Sequence, residues 1–227
     1  MNNILISGCG ISYGRGEKPT WIKILKICGL KIEDLTGPGI TNGLILNLLI
    51  DELYQNDYTH VICQLTQPGK LDVEINEKNK ELMDSDSLRN YSFRNYWPSS
   101  FSKDHLAKQL YYDYLYSPGI EEKDLIIKLL HLQKLCEIKK TKLLIIQGIK
   151  ISWQDSLHKK LDMDKNYSII DDYKLSNHYD KHDNSSPVIT PNIYYQVELA
   201  KKINNIFLNQ DIEKKLNKIS KYLEFNV

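Results

Sequence analysis

Ser7 and Ser12 lie in the stretch Ser7-Gly8-Cys9-Gly10-Ile11-Ser12-Tyr13-Gly14, directly after the apolar run Ile4-Leu5-Ile6. Glycines without a Cβ let a ligand come close to the backbone. A hydroxyl beside free amides begins either a phosphate cradle or an acyl-transfer site. A serine hydroxyl becomes nucleophilic only when a base takes its proton. The candidate base lies far along the chain, in residues 177–184, which carry His178, Asp180, His182 and Asp183. His182 oriented by Asp180 or Asp183 needs only hydrogen-bond reach to serve a serine. The same polar composition is also that of an ordinary solvated loop. Metal binding is a third use, but no ligand pair here has secure helical or turn spacing, and no metal is expected.

Gly8, Gly10 and Gly14 also form a loose dinucleotide-loop pattern, with Asp34 at a suitable distance for a ribose contact. That use requires a helix to open directly on the glycines, so that its first amides meet the pyrophosphate. Arg15-Gly16-Glu17-Lys18-Pro19 intervenes before the helix signal at Thr20, which weighs against it.

The elements that must position these residues alternate along the chain. Strands are predicted at 3–7, 31–35, 59–65 and 142–147, with a weaker one at 167–170. Helices are predicted at 20–28, 42–53, 121–138 and 191–208, the last capped by Thr190 with Pro191 at its first position. Leu125, Leu129, Leu132 and Cys136 share one face of the third helix. Residues 210–225 read as an exposed, charged helix, most simply a solvated face, with oligomerisation as the second reading. This order implies an α/β fold, a three-layer α/β/α sandwich with a parallel sheet of about five strands, flavodoxin-like in architecture.

In such sheets ligands bind outside the carboxyl ends of the strands. The loops at 7–14, 36–42 and 65–70 fall at those ends, so Gly8, Gly10, Gly39, Asn42 and Thr66 are expected to line one cleft as substrate-binding residues. Residues 68–102 show no clear core element and read as a lid-like insertion over the same edge. The domain expectation is one α/β unit over 1–208 carrying that insertion, followed by a helical extension over 209–227.

Composition sets the remaining bounds. The chain has 227 residues, 41% hydrophobic, and a formal charge of +1, so no global field draws in nucleic acid or an acidic membrane. Cys9, Cys28, Cys63 and Cys136 form no CxxC pair. Three lie in apolar stretches and read as buried reduced thiols of an intracellular protein. Only Cys9 sits in a candidate site, where a reactive thiolate is the alternative to a structural role. The first residues lack the pattern of a signal peptide, and no apolar run reaches the roughly 18 residues of a membrane span. A cytoplasmic location is expected (that of the host cell if the protein is viral). The aromatic cluster at 90–97 suits either a ligand ring or packing, and the one at 110–116 favours a helix packing its tyrosines.

The order of blocks resembles the SGNH, or GDSL-type, hydrolase superfamily. A nucleophile loop follows the first strand, a glycine block the second, an oxyanion block the third, and an acid-and-histidine block precedes the last helix. The first block also resembles the Gly-Cys-Ser-Phe-Thr-x-Gly version found in proteins of marine phages. Here it reads Gly8-Cys9-Gly10-Ile11-Ser12-Tyr13-Gly14, followed by Trp21, Gly39-Ile40-Thr41-Asn42 and Gln64-Leu65-Thr66. The resemblance covers most of residues 1–70 and, loosely, 120–208. It implies an esterase, deacylase or acyltransferase acting on a glycan or other small ester, without a cofactor. It makes Cys9 a supporting, structural residue.

The departures are specific. The nucleophilic serine aligns with Gly10, Pro187 and Thr190 stand where the acid and histidine of the last block belong, and the oxyanion asparagine has no match among Thr66, Gln67 and Pro68. Ser12, in the same loop, is then the expected nucleophile, with His182 and Asp180 as its base and orienting acid. The alternative is a protein of this fold that binds a carbohydrate, small ligand or partner protein without turnover.

Overall fold

The structure, a computed structural model, describes residues 3–9, 19–37, 40–66, 71–74, 93–96, 116–147, 167–171 and 193–226. Short runs centred on apolar residues form the strands β1 (Asn3–Ser7), β3 (His60–Leu65), β6 (Lys142–Gln147) and β7 (Tyr167–Asp171), and the more polar Lys-Ile-Glu-Asp forms β2 (Lys31–Asp34). They make one five-stranded sheet in the order β2-β1-β3-β6-β7, parallel throughout. The first strand is interior, but the middle of the sheet is β3, every residue of which is buried. β2 sits at one edge with Lys31 and Glu33 exposed, charges that suit an unpaired edge.

The helices are α1 (Trp21–Ile27), α2 (Asn42–Gln55), α3 (Pro118–Ile138), α4 (Ile193–Ile203) and α5 (Glu213–Asn226). Thr20 caps α1 by accepting from the Lys23 amide at 3.4 Å, and Thr41 caps α2 by accepting from Leu44 at 3.1 Å. α3 begins at Pro118, ahead of the predicted Glu121, because a proline at the first turn has no amide to leave unpaired. α4 runs on into a π-helical turn, Asn204–Leu208, closed by Asn209 in the left-handed conformation.

Side chains alternate across the strands, so each face of the sheet builds its own core. Leu5, Val61, Cys63, Leu65, Leu143 and Ile145 pack with α2 and α3. Ile4, Ile6, Ile62, Leu144 and Ile146 pack with Trp21, Ile22, Ile24 and Leu25 of α1 and with Val197, Ala200 and Ile203 of α4. The result is the three-layer sandwich expected from the sequence. All four cysteines are buried and free. Burial pushes the Cys63 thiol up and that of Cys136 up to about 12, which leaves both inert as nucleophiles at neutral pH.

One reading needs correction. The C-terminal helix is not simply a solvated face: Ile212 and Leu216 are buried, Ile219 packs against the α1/α4 core, and Lys215 donates to the Cys28 carbonyl at 2.8 Å. Its apolar residues at i, i+4 and i+7 make a docking stripe among the lysines. Within the predicted insertion, β4 (Leu71–Glu74) and β5 (Phe93–Tyr96) pair antiparallel in a two-stranded sheet separate from the main one. β5 lies inside the aromatic cluster at 90–97. No helix among the described residues is long and apolar enough to cross a membrane.

Candidate active site at the carboxyl edge of the sheet

In a parallel sheet all carboxyl ends lie on one edge, and the described loops are laced together there by specific hydrogen bonds. The β1–β2 ladder continues past both strands: Leu35 donates to the Ile6 carbonyl at 2.8 Å and Gly37 to the Gly8 carbonyl at 3.0 Å. Ser7 is fully buried, and its hydroxyl donates to the Leu35 carbonyl at 3.3 Å. Ser7 is therefore a lock between strand ends rather than an alternative nucleophile.

Asp34 carries a second lock. Its carboxylate accepts from the Thr36 hydroxyl at 2.6 Å and the Thr36 amide at 3.1 Å, and pairs with Lys26 at 3.2 Å. A ribose-binding acid needs a free carboxylate. With Asp34 so engaged, the dinucleotide reading loses its ribose contact.

Asn42 opens α2 with its side chain buried. Its Nδ2 donates to the Thr66 carbonyl at 3.0 Å, and its Oδ1 accepts from the Thr66 amide at 2.7 Å. This reciprocal pair fastens the chain leaving β3 to the start of α2, the helix that leads into that strand. Gly8, Asn42 and Thr66 thus share the carboxyl edge, but the described bonds of Asn42 are spent on the backbone of Thr66. Gly10, Ser12, Gly39, Asp180 and His182 lie outside the described residues.

Asn42→Asp tests the fastening. A carboxylate still accepts from the Thr66 amide but sets an oxygen against the Thr66 carbonyl, leaving a buried acceptor without its donor. Such a loss costs about 1–3 kcal/mol. At about 2–4 °C per kcal/mol for a chain of this size, melting should fall by several degrees. An unchanged melting temperature would show that the pair does not hold the edge together.

The described histidines are elsewhere. His60 begins β3 at the opposite edge of the sheet, and His131 on α3 is hydrogen-bonded to the Tyr54 hydroxyl at 2.9 Å, near the far end of α2. Neither reaches the site, so among the described residues no histidine stands at the carboxyl edge. No cluster of metal-ligating side chains occurs among them either.

Two residues at this edge were not assigned side-chain roles from the sequence. Gln64, the penultimate residue of β3, and Gln147, the last of β6, are completely buried. Among the described residues neither carboxamide has a hydrogen-bond partner for its Oε1 or its Nε2. The sequence signal is a glutamine closing an otherwise apolar buried strand. By alternation, Gln64 shares the α1/α4 side with Ile62, whereas Gln147 shares the α2/α3 side with Ile145.

No protein-family model and no curated protein matches the chain. Solved structures do. The chain is similar to the psychrotrophic esterase EstA from Pseudoalteromonas sp., in a structure inhibited by monoethylphosphonate, with a TM-score of 0.51 and 16% identity over 96% of this chain and 100% of that one. It is also similar to TesA, with a TM-score of 0.49 and 13% identity over 88% of this chain and 95% of that one. The parallel sheet flanked by helices, with its loops gathered at the carboxyl edge, is an SGNH-hydrolase-like fold.

Proposed function

We propose that the protein is an ester hydrolase or acyltransferase of the SGNH type, acting on a glycan or other small ester. The observation that carries this reading is the laced carboxyl edge: the chain after β1, the start of α2 and the chain after β3 are gathered where this fold places its site. The likeness to EstA, an esterase inhibited by monoethylphosphonate, supports the same chemistry.

In this reading Ser12 Oγ attacks the ester carbonyl carbon while His182 takes its proton, with Asp180 holding the imidazole. Backbone amides of the glycine loop stabilise the oxyanion. Collapse breaks the bond to the leaving alcohol, which receives the proton from His182, and leaves an acyl-serine. Water, or an acceptor alcohol, then takes the acyl group by the reverse proton path.

A second reading is ligand binding without turnover, favoured by Gly10 at the position where the resembled family has its serine. A serine-directed phosphonate separates the two. The wild type should gain the mass of one phosphonyl group, at a site that peptide mapping places on Ser12. An unmodified intact mass after prolonged exposure, together with no hydrolysis above background on acetyl esters and acetylated glycans, leaves the binding reading in its place.

A further inference from the structure

A buried carboxamide with neither end paired is costly, because both its acceptor and its donors have given up water. Gln64 is in that state while fully buried. Its position is specific. Ser7 pairs in register with Cys63, so the next position sets Gly8 beside Gln64, about one strand spacing of ~4.8 Å away. On the other side its register partner is Ile146, which is apolar. Gly8 has no side chain, so nothing from β1 stands between the carboxamide and the beginning of the glycine loop. The α1/α4 side at this edge also holds the first turn of α1, where the Trp21 amide donates to Gln196 of α4 at 2.7 Å. Gln196 shows how a glutamine is satisfied in this layer, and Gln64 is not.

We infer that Gln64 positions the substrate by recognising an acylamino group next to the reacting ester. This rests on the acyl-transfer reading above. A glutamine presents one acceptor and two donors in a single plane. An ester carbonyl supplies only acceptors, so it pairs with Nε2 and leaves Oε1 buried and alone. A secondary amide supplies both partners: its N–H donates to Oε1 and its carbonyl accepts from Nε2. The ligand that removes the whole cost is one bearing an amide, such as an N-acylated amino sugar or amino acid ester.

The test compares kcat/KM for p-nitrophenyl acetate with that for the p-nitrophenyl ester of N-acetylglycine, alongside melting temperature, in three proteins. These are the wild type, Gln64→Met, and Gln147→Met as the same chemical change on the other face of the sheet. The wild type should favour the acylamino ester by about tenfold or more, the worth of a pair of neutral hydrogen bonds. Q64M should lose that preference while melting at the same or a higher temperature, since an unpaired carboxamide is replaced by an apolar chain of similar length. Q147M should keep the preference. A wild type that hydrolyses both esters equally overturns the inference and leaves the hydrolase reading standing. So does a Q64M that melts several degrees lower with its preference intact, because the carboxamide is then a structural bond. An equal loss of preference in Q147M overturns it as well. If the wild type hydrolyses neither ester, binding of N-acetylglycinamide followed by NMR decides: binding lost in Q64M upholds the recognition without the hydrolysis, and no binding by the wild type overturns both.

Discussion

Hydrolysis of p-nitrophenyl acetate is expected to fall about a thousandfold or more in Ser12→Ala, and by a similar factor in His182→Ala. The double variant should be little slower than either single one. Groups that act as one nucleophile–base unit are strongly non-additive, since removing either member abolishes the same step. That pattern separates the pair from two residues that each support the fold, whose effects would add. Melting temperatures measured alongside exclude loss of folded protein. Full activity in Ser12→Ala would remove the residue from the mechanism. Since Gly10 has no side chain to attack and Ser7 is tied to Leu35, no other serine of the first loop could then replace it.

The largest stability effect should come from His60 as the pH falls. Its ring is buried at the amino edge of β3, with Nδ1 against the Thr59 hydroxyl at 2.9 Å and an edge-on contact to Phe207 at 5.1 Å between ring centres. Its Nε2 has no partner among the described residues. Burial first, and Lys142 second, lower its pKa from 6.5 to about 4. Between those values the unfolded chain binds a proton that the folded chain refuses, so stability rises with pH through this window and is lost on acidification from about 6.5 to about 4. At about 1.4 kcal/mol per pKa unit the loss is on the order of 3 kcal/mol. Carboxylates titrate over part of the same range, so the measurement is a difference. Urea unfolding of His60→Leu should show a flatter profile than the wild type over this interval, and parallel profiles would mean that His60 takes up its proton as readily in the folded chain as in the unfolded one.

Much of the scaffold was legible in the sequence because its strands are buried on both sides. Residues 59–65 and 142–147 each hold a continuous apolar centre, Val61-Ile62-Cys63 and Leu143-Leu144-Ile145-Ile146, and the ends of β3 and β6 fall within a residue of where the polar neighbours put them. The helix start at Thr20 follows from a short polar side chain that competes well for a free amide. The β4–β5 pairing was not legible, because neither strand carries a clear apolar alternation and a long polar stretch separates them. The docking stripe of α5 was present in Ile212, Leu216 and Ile219, but the lysines around it dominate the composition.

The candidate site divides in the same way. Parallel topology alone brings Gly8, Asn42 and Thr66 to one edge, which is a property of element order. That Asn42 is bound to the Thr66 backbone, or that the Ser7 hydroxyl turns to Leu35, depends on rotamers and loop paths that no periodicity encodes.

The two cores also draw on the chain in different orders. Among the described residues, the buried members of the α2/α3 core lie between Leu5 and Ile145. The opposite core joins Ile4 and Trp21 to residues as late as Leu216. During synthesis, a ribosome that has delivered β6 has supplied every described member of the α2/α3 core. The other side still presents Ile4, Ile6, Ile62, Leu144 and Ile146 without α4 or α5 to cover them. The nascent protein therefore passes through a half-covered sheet, and the stretch of greatest exposure to chaperones ends only when the segment from Tyr195 to Leu216 emerges.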